Sequence, residues 1–273
     1  MSLTNPPAAL LTDVFGTVVD WRSSVENYLS RTATDTLNNP SLSLSSSTRQ
    51  SAAQISWPLF AQQWRSSYYT FTRGYDPSQG GFKNVDQHQL ESLTALLAQH
   101  NLSDLWIAAE LRQIAMIWHF LEPWPDSARG LGQLNQKFET CTLSNGNTAL
   151  LSDLARHAAL PYKHIISAEE FKAYKPHPNV YNGAARRLGL PNEKCALVAA
   201  HLNDLEAARG QGYQTIYIER AQEEQWDQER VKKCKEWVDM WIGLDEGGFE
   251  EVARRFGCTE YSAGLLKDGK SLE

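Results

Sequence analysis

Four polar segments of this chain stand where a parallel sheet would present them to a ligand. The first is Leu10-Leu11-Thr12-Asp13-Val14-Phe15-Gly16-Thr17, an apolar run that delivers one carboxylate and then turns at Gly-Thr. A short buried strand ending on Asp puts that carboxylate at the carboxyl edge of a sheet, where open α/β folds bind ligands. The second is Leu143-Ser144-Asn145-Gly146-Asn147, whose hydroxyl, amide and backbone N–H groups suit an anion. The third is Tyr174-Lys175-Pro176, a lysine kept out of helical geometry by the following proline. The fourth is Ala199-Ala200-His201-Leu202-Asn203-Asp204, with Asp204 in the first turn of a helix. Each has an ordinary structural explanation. Asp13 can cap a turn, Ser144 and Asn145 can cap a helix, Lys175 can be a solvated loop residue, and Asp204 can face a helix dipole. His201 can cap a strand end or, since imidazole titrates near neutrality, act as a base.

The elements that must position these groups are legible in outline. A first strand covers residues 8–12 and 14–15. After Pro125, strand and helix alternate: helix 126–137, strand 140–143, helix 147–158, strand 164–166, helix 178–188, strand 195–199, helix 203–210 and strand 215–218. Repeats of this length predict a parallel sheet with right-handed crossovers. Residues 21–124 read differently. Val25, Tyr28 and Leu29 share a helical face; so do Trp57, Phe60, Ala61, Trp64 and Tyr68, then Leu90, Leu93, Leu96 and Leu97, then Leu105, Ala109, Leu111 and Ile114. No strand is expected in that block, and its serine-rich stretch through Ser45-Ser46-Ser47 reads as a low-complexity loop. The expected organisation is an α/β, Rossmann-like core (1–20 and 126–273, the latter with a C-terminal tail) interrupted after its first strand by an all-helical cap (21–125). A cap inserted beside the carboxyl edge is placed to act as a lid.

Composition narrows the class. The chain has 273 residues and a formal net charge of −6, with acids and bases mixed. No basic stripe suggests nucleic acid and no apolar run is long enough for a membrane span. Cys141, Cys195, Cys234 and Cys258 have neither C-x-x-C nor zinc spacing, which fits unpaired thiols in a reducing compartment. The beginning of the chain lacks the basic and apolar regions of a signal peptide. A cytoplasmic protein acting on a small molecule is the expectation; the oligomeric state stays open, a homodimer included.

The order Asp, Ser-Asn, Lys, Asp, each just after a strand, resembles the four-motif signature of the haloacid dehalogenase superfamily. Asp13-Val14-Phe15-Gly16-Thr17, Leu143-Ser144-Asn145-Gly146, Tyr174-Lys175-Pro176 and Asn203-Asp204 carry the resemblance, which covers nearly the whole chain. Phosphatases of the superfamily carry an acid two residues after the nucleophile; here Phe15 stands there and cannot transfer a proton. They also carry a Gly-Asp metal ligand pair where this chain has Ala199-Ala200, which offers magnesium no side-chain oxygen. The chain is instead similar to the type II 2-haloacid dehalogenases, and that resemblance implies neither metal nor cofactor. It implies that Asp13 attacks C2 of an L-2-haloacid, that Lys175 keeps Asp13 ionised, and that Asp204 positions Lys175 and activates water. It further implies that Phe15, Arg65, Ser144 and Asn145 hold substrate or halide. Three departures stand out: the family usually has Ser and Asn where this chain has Ala199 and His201, and commonly Tyr where it has Phe15. His201 then either replaces the Asn amide or serves as the base. Two other readings are a hydrolase acting on another small carboxylate and a degenerate member retained for binding. Intact Asp13, Lys175 and Asp204 argue against the latter.

Overall fold

A computed structural model describes residues 5–258. Five parallel strands form the central sheet: β1 (Ala9–Thr12), β4 (Glu139–Thr142), β5 (Cys195–Ala199), β6 (Gln214–Ile218) and β7 (Met240–Ile242), in the order β4-β1-β5-β6-β7. β1 lies between β4 and β5, so every residue of Ala-Leu-Leu-Thr is buried, as a strand covered on both faces requires. The helices α6 (Ser127–Leu134), α7 (Thr148–His157), α8 (Pro178–Arg187), α9 (Leu202–Arg209), α10 (Gln228–Cys234) and α11 (Gly248–Arg255) follow the strands of this core. Asp13 leaves the end of β1 with its amide bonded to the Val198 carbonyl on β5, and Leu143 donates to the Thr12 carbonyl. The termini of β4, β1 and β5 therefore stand level with one another.

Residues 21–121 form a helical insertion: α1 (Trp21–Asn38), α2 (Ser46–Gln54), α3 (Trp57–Gly74), α4 (Val85–Gln99) and α5 (Ala108–Ala115). Its starts are written locally. Asp20 accepts from the Ser23 amide, Ser56 caps α3 with proline in the first turn, and Asn84 forms a reciprocal capping box with Gln87. The stripe expected along 57–68 is the buried face of α3, joined by Arg65.

Several expectations are corrected. Ser45 caps α2, and Ser46 and Ser47 lie inside that helix, so the serine-rich stretch is partly ordered by its own hydroxyl groups. α5 begins only at Ala108, and of its expected stripe Leu105 precedes the helix while Ala109 is exposed. The block does hold a strand: β3 (Glu122–Pro123) pairs antiparallel with β2 (Val19–Asp20), closing both ends of the insertion onto each other. Residues 164–166 make only an isolated bridge, because the Thr142 hydroxyl takes both the amide and the carbonyl of Ile166 that a ladder would need. β7, α10 and α11, elements of three to eight residues, were not anticipated; they lie beyond the last strand read from the sequence. No helix among the described residues is long and apolar enough to cross a membrane.

Insertion and core meet through buried polar contacts. The ring of His119 bonds Asp86 of α4 at 3.1 Å and Asp153 of α7 at 2.9 Å, while the Asn147 amide donates to Asp86. Burial opposes a charge on His119, but the bonds to Asp86 and Asp153 outweigh it and raise its pKa above the ordinary value. A raised folded pKa stabilises below the unfolded value of about 6.5 and fades as pH climbs through the folded one. The His119→Asn variant is therefore expected to lose about 2 kcal/mol near pH 6 and progressively less at alkaline pH. Thermal unfolding across that range checks it, and a pH-independent deficit would contradict the charged bridge.

Candidate active site

The polar residues at the sheet edge converge on Asp13. The Lys175 ammonium donates to Asp13 Oδ1 at 2.9 Å and to Asp204 Oδ2 at 2.5 Å. Asp204 accepts a second bond from the Tyr181 hydroxyl at 2.6 Å. The other oxygen of Asp13 accepts from the Thr17 hydroxyl at 2.9 Å and meets His201 Nδ1 at 3.1 Å. Thr17 is itself held by the Ala200 amide, so backbone serves at a position whose side chain is only a methyl group. Burial works against the charge on Asp13, but Lys175 and His201 outweigh it and hold the carboxyl well below the usual carboxylate range. Lys175, equally buried, is raised by Asp13 and Asp204. Asp13 is thus a carboxylate at neutral pH, 8% exposed at the floor of a cavity of about 50 Å3.

His201 is sandwiched between two carboxylates. Its Nε2 lies 3.2 Å from Glu223 Oε2, and Glu223 also accepts from the Trp21 indole at 2.8 Å. Burial disfavours a charged ring, yet Tyr69, Asp13 and Glu223 raise its pKa well above the ordinary value. With Asp13 ionised the ring carries a proton on each nitrogen and donates both ways. Glu223 was missed at the sequence level. The signal available was its place just after β6, at the same carboxyl edge as the four motifs. The approach of Glu223 also requires Gly16, whose φ is +85° and whose Cβ, if present, would fall 2.1 Å from Glu223 Oε2.

Arg65 reaches the cavity from α3 in an aromatic cage. Its guanidinium carbon lies 4.5 Å from the ring centres of Tyr68 and Tyr69, 5.2 Å from Phe15 and 5.4 Å from Trp21. One terminal nitrogen donates to the Tyr69 hydroxyl; Nε and Nη1 are buried and, among the described residues, make no hydrogen bond. Burial presses against this charge, and Tyr69, Tyr68, Glu223 and Asp13 outweigh that pressure, so Arg65 stays cationic. Burial pushes the Tyr68 phenol up to about 12, leaving its hydroxyl protonated. Two unused donors on a cation, walled by rings, make a receptor for an anion.

Not every expected residue turns its side chain into the cavity. Asn145 lines the cavity, but its side chain clamps the Lys175 backbone, accepting from the amide at 2.7 Å and donating to the carbonyl at 3.3 Å. Ser144 is fully buried and its hydroxyl faces the Gly146 amide rather than the cavity. Phe15 forms cage wall beside Arg65. Asp13, Arg65, Asn145, Lys175, His201 and Asp204 are brought together around one space, with Tyr69 and Arg73 at its outer side.

The sequence profile of the haloacid dehalogenase-like hydrolases matches residues 7–212. The chain belongs to this family. Among curated relatives of this hydrolase, (S)-2-haloacid dehalogenase 1 of Pseudomonas sp. (strain CBS-3) is 29% identical over 79% of this chain and 86% of its own length. Haloacetate dehalogenase H-2 of Moraxella sp. (strain B) is 31% identical, but the match spans only 46% of its length and 37% of this chain. In structure, the hydrolase superposes on the L-2-haloacid dehalogenase PA0810 with a TM-score of 0.73 at 32% identity, covering 92% of this chain and 99% of that one. A defluorinating L-2-haloacid dehalogenase matches with a TM-score of 0.75 at 28% identity, over 93% and 99%.

Proposed function

We propose that this hydrolase displaces halide from small L-2-haloacids, with Asp13 as nucleophile and a D-2-hydroxy acid as product. The reading rests on one observation above all: a caged Arg65 with two unused donors shares a small cavity with an ionised, buried Asp13. Relatives named as 2-haloacid dehalogenases support it. Arg65 receives the anionic end of the substrate or the departing halide. Asp13 Oδ1, engaged by Lys175 alone, attacks C2; the carbon–halogen electron pair leaves with the halide and C2 inverts. Halide needs no general acid, which agrees with Phe15 at the position two residues on.

The ester then leaves Oδ2 as its carbonyl oxygen, already facing the Thr17 hydroxyl and the protonated His201. When water adds to the Asp13 carbonyl carbon, the developing oxyanion meets two preset donors, one of them cationic. Asp204, the remaining carboxylate on the cavity, takes the proton of the water. As the intermediate collapses, Asp204 returns that proton to the departing hydroxyl oxygen, and Asp13 comes off as the acid, whose proton passes to solvent as the carboxylate is restored. His201 acts in this reading as a donor to the oxyanion, with Glu223 holding its far nitrogen, rather than as the base.

L-2-chloropropionate is the test substrate. Chloride is expected from the L but not the D enantiomer, at a rate unchanged by a chelator, since Ala199-Ala200 supplies no metal ligand. Absence of chloride from L-2-chloro- and L-2-bromopropionate would sink the proposal. In the His201→Ala variant the steady rate is expected to fall about 100-fold, the typical cost of one oxyanion donor. Rapid mixing should show a first-turnover burst of chloride in that variant, because ester formation does not use the oxyanion donor. Equal loss of burst and steady rate would place His201 in the first half-reaction instead.

A further inference from the structure

We propose that the same site is built for substrates with a second carboxylate, which Arg73 receives; this deepens the dehalogenase reading and rests on it. The charges around the cavity divide into those with partners and those without. Lys175 is matched by Asp13 and Asp204, and His201 by Asp13 and Glu223. Glu224 spends its oxygens on the amides of Leu202, Gln225 and Trp226. Two guanidinium groups remain without a carboxylate. Arg65 is the inner one. Arg73 is the outer one, and among the described residues it makes neither an ion pair nor a hydrogen bond, only a contact over the Tyr69 ring at 5.3 Å.

The space agrees with the charge. The cavity over Asp13 is the smaller space, about 50 Å3. Beside it lies a chamber of about 220 Å3, and Tyr69, Arg73, His201 and Asn203 line both. Arg65 and Arg73 sit two turns apart on α3, with their Cα atoms roughly 12 Å apart along the axis. Tyr69 stands between them in sequence, and both guanidinium groups lie against its ring. A cation in the last turn of a helix also complements its dipole. That role needs no contact with Tyr69 and no place on the cavity wall. A four-carbon 2-halo dicarboxylate would set its C2 over Asp13 and extend its far carboxylate through the junction to Arg73.

The experiment compares L-2-chlorosuccinate, its distal methyl monoester and L-2-chloropropionate on the wild type and on Arg73→Gln and Arg73→Lys. Wild type is expected to turn over chlorosuccinate with a lower KM than the monoester. Arg73→Gln should raise KM for chlorosuccinate about fivefold at low salt, leaving kcat and both monocarboxylates within about twofold. Arg73→Lys should recover part of the loss, and an ionic strength of about 0.5 M should shrink it. Turnover of chloropropionate without chlorosuccinate overturns the proposal, as does an equal effect of Arg73→Gln on all three substrates. Silence on every haloacid overturns the dehalogenase reading beneath it as well.

Discussion

Asp13→Asn is expected to lower kcat on L-2-chloropropionate by about 10⁴-fold or more, the scale seen when a covalent nucleophile is removed. The amide keeps the size of the side chain but has no charge to attack with. Folding should survive, because the neighbouring cations keep other partners: Lys175 retains Asp204 and His201 retains Glu223. The variant therefore loses activity while its thermal midpoint stays within a few degrees of wild type. Single turnover of the wild type in heavy-oxygen water should place the label on Asp13 rather than wholly in the product, since water attacks the ester carbonyl. Wild-type activity in the variant, or label appearing only in the hydroxy acid, would rule out the aspartyl ester.

Lys175→Met carries the largest expected cost in stability. The ammonium is the cation shared by two buried carboxylates, and its removal leaves Asp204 with the Tyr181 hydroxyl and Asp13 with Thr17 and His201. Breaking a buried pair from one side costs about 3–5 kcal/mol near neutral pH. The pH dependence identifies the cause. In the wild type the depressed pKa of Asp13 stabilises above the unfolded value of about 3.9 and that stabilisation is lost as pH falls. Without Lys175 the buried Asp13 carboxylate gains by protonation, so the gap between variant and wild type should narrow on acidification. Urea midpoints measured from about pH 7 to pH 4 decide it, and parallel curves would contradict the charge argument.

How much of the site could be read beforehand follows from the range of each interaction. Asp13, Lys175 and Asp204 were legible because a strand end is a local event: an apolar run, then a polar residue, then a breaker. Arg65 was legible from its place in a helix like the family's cap helix. Glu223 was not, because its place just after β6 is the only local signal, and the side chains it joins, His201 and Trp21, are brought to it by the fold. Asn145 and Ser144 show a different limit. Their positions were foreseen, but the local pattern does not say where a side chain points, and both turn toward backbone. The bridge at residues 164–167 failed as a strand for a related reason, since a threonine hydroxyl can stand in for a ladder and sequence periodicity does not register it.

The antiparallel pair β2–β3 has an evolutionary consequence. It brings the chain back to the point from which the insertion departed, so the sheet is continuous in outline without residues 21–121. Lengthening or shortening a closed excursion alters closure entropy by only about 0.6 kcal/mol per doubling. Natural variation can therefore remodel the insertion at little cost to the sheet, provided that the few side chains which dip back toward Asp13 keep their reach. Bond breaking and substrate selection are then inherited on separately editable stretches of one gene: the strand ends carry the reaction, and one face of α3, with Arg65, Tyr69 and Arg73, carries the choice of what reacts.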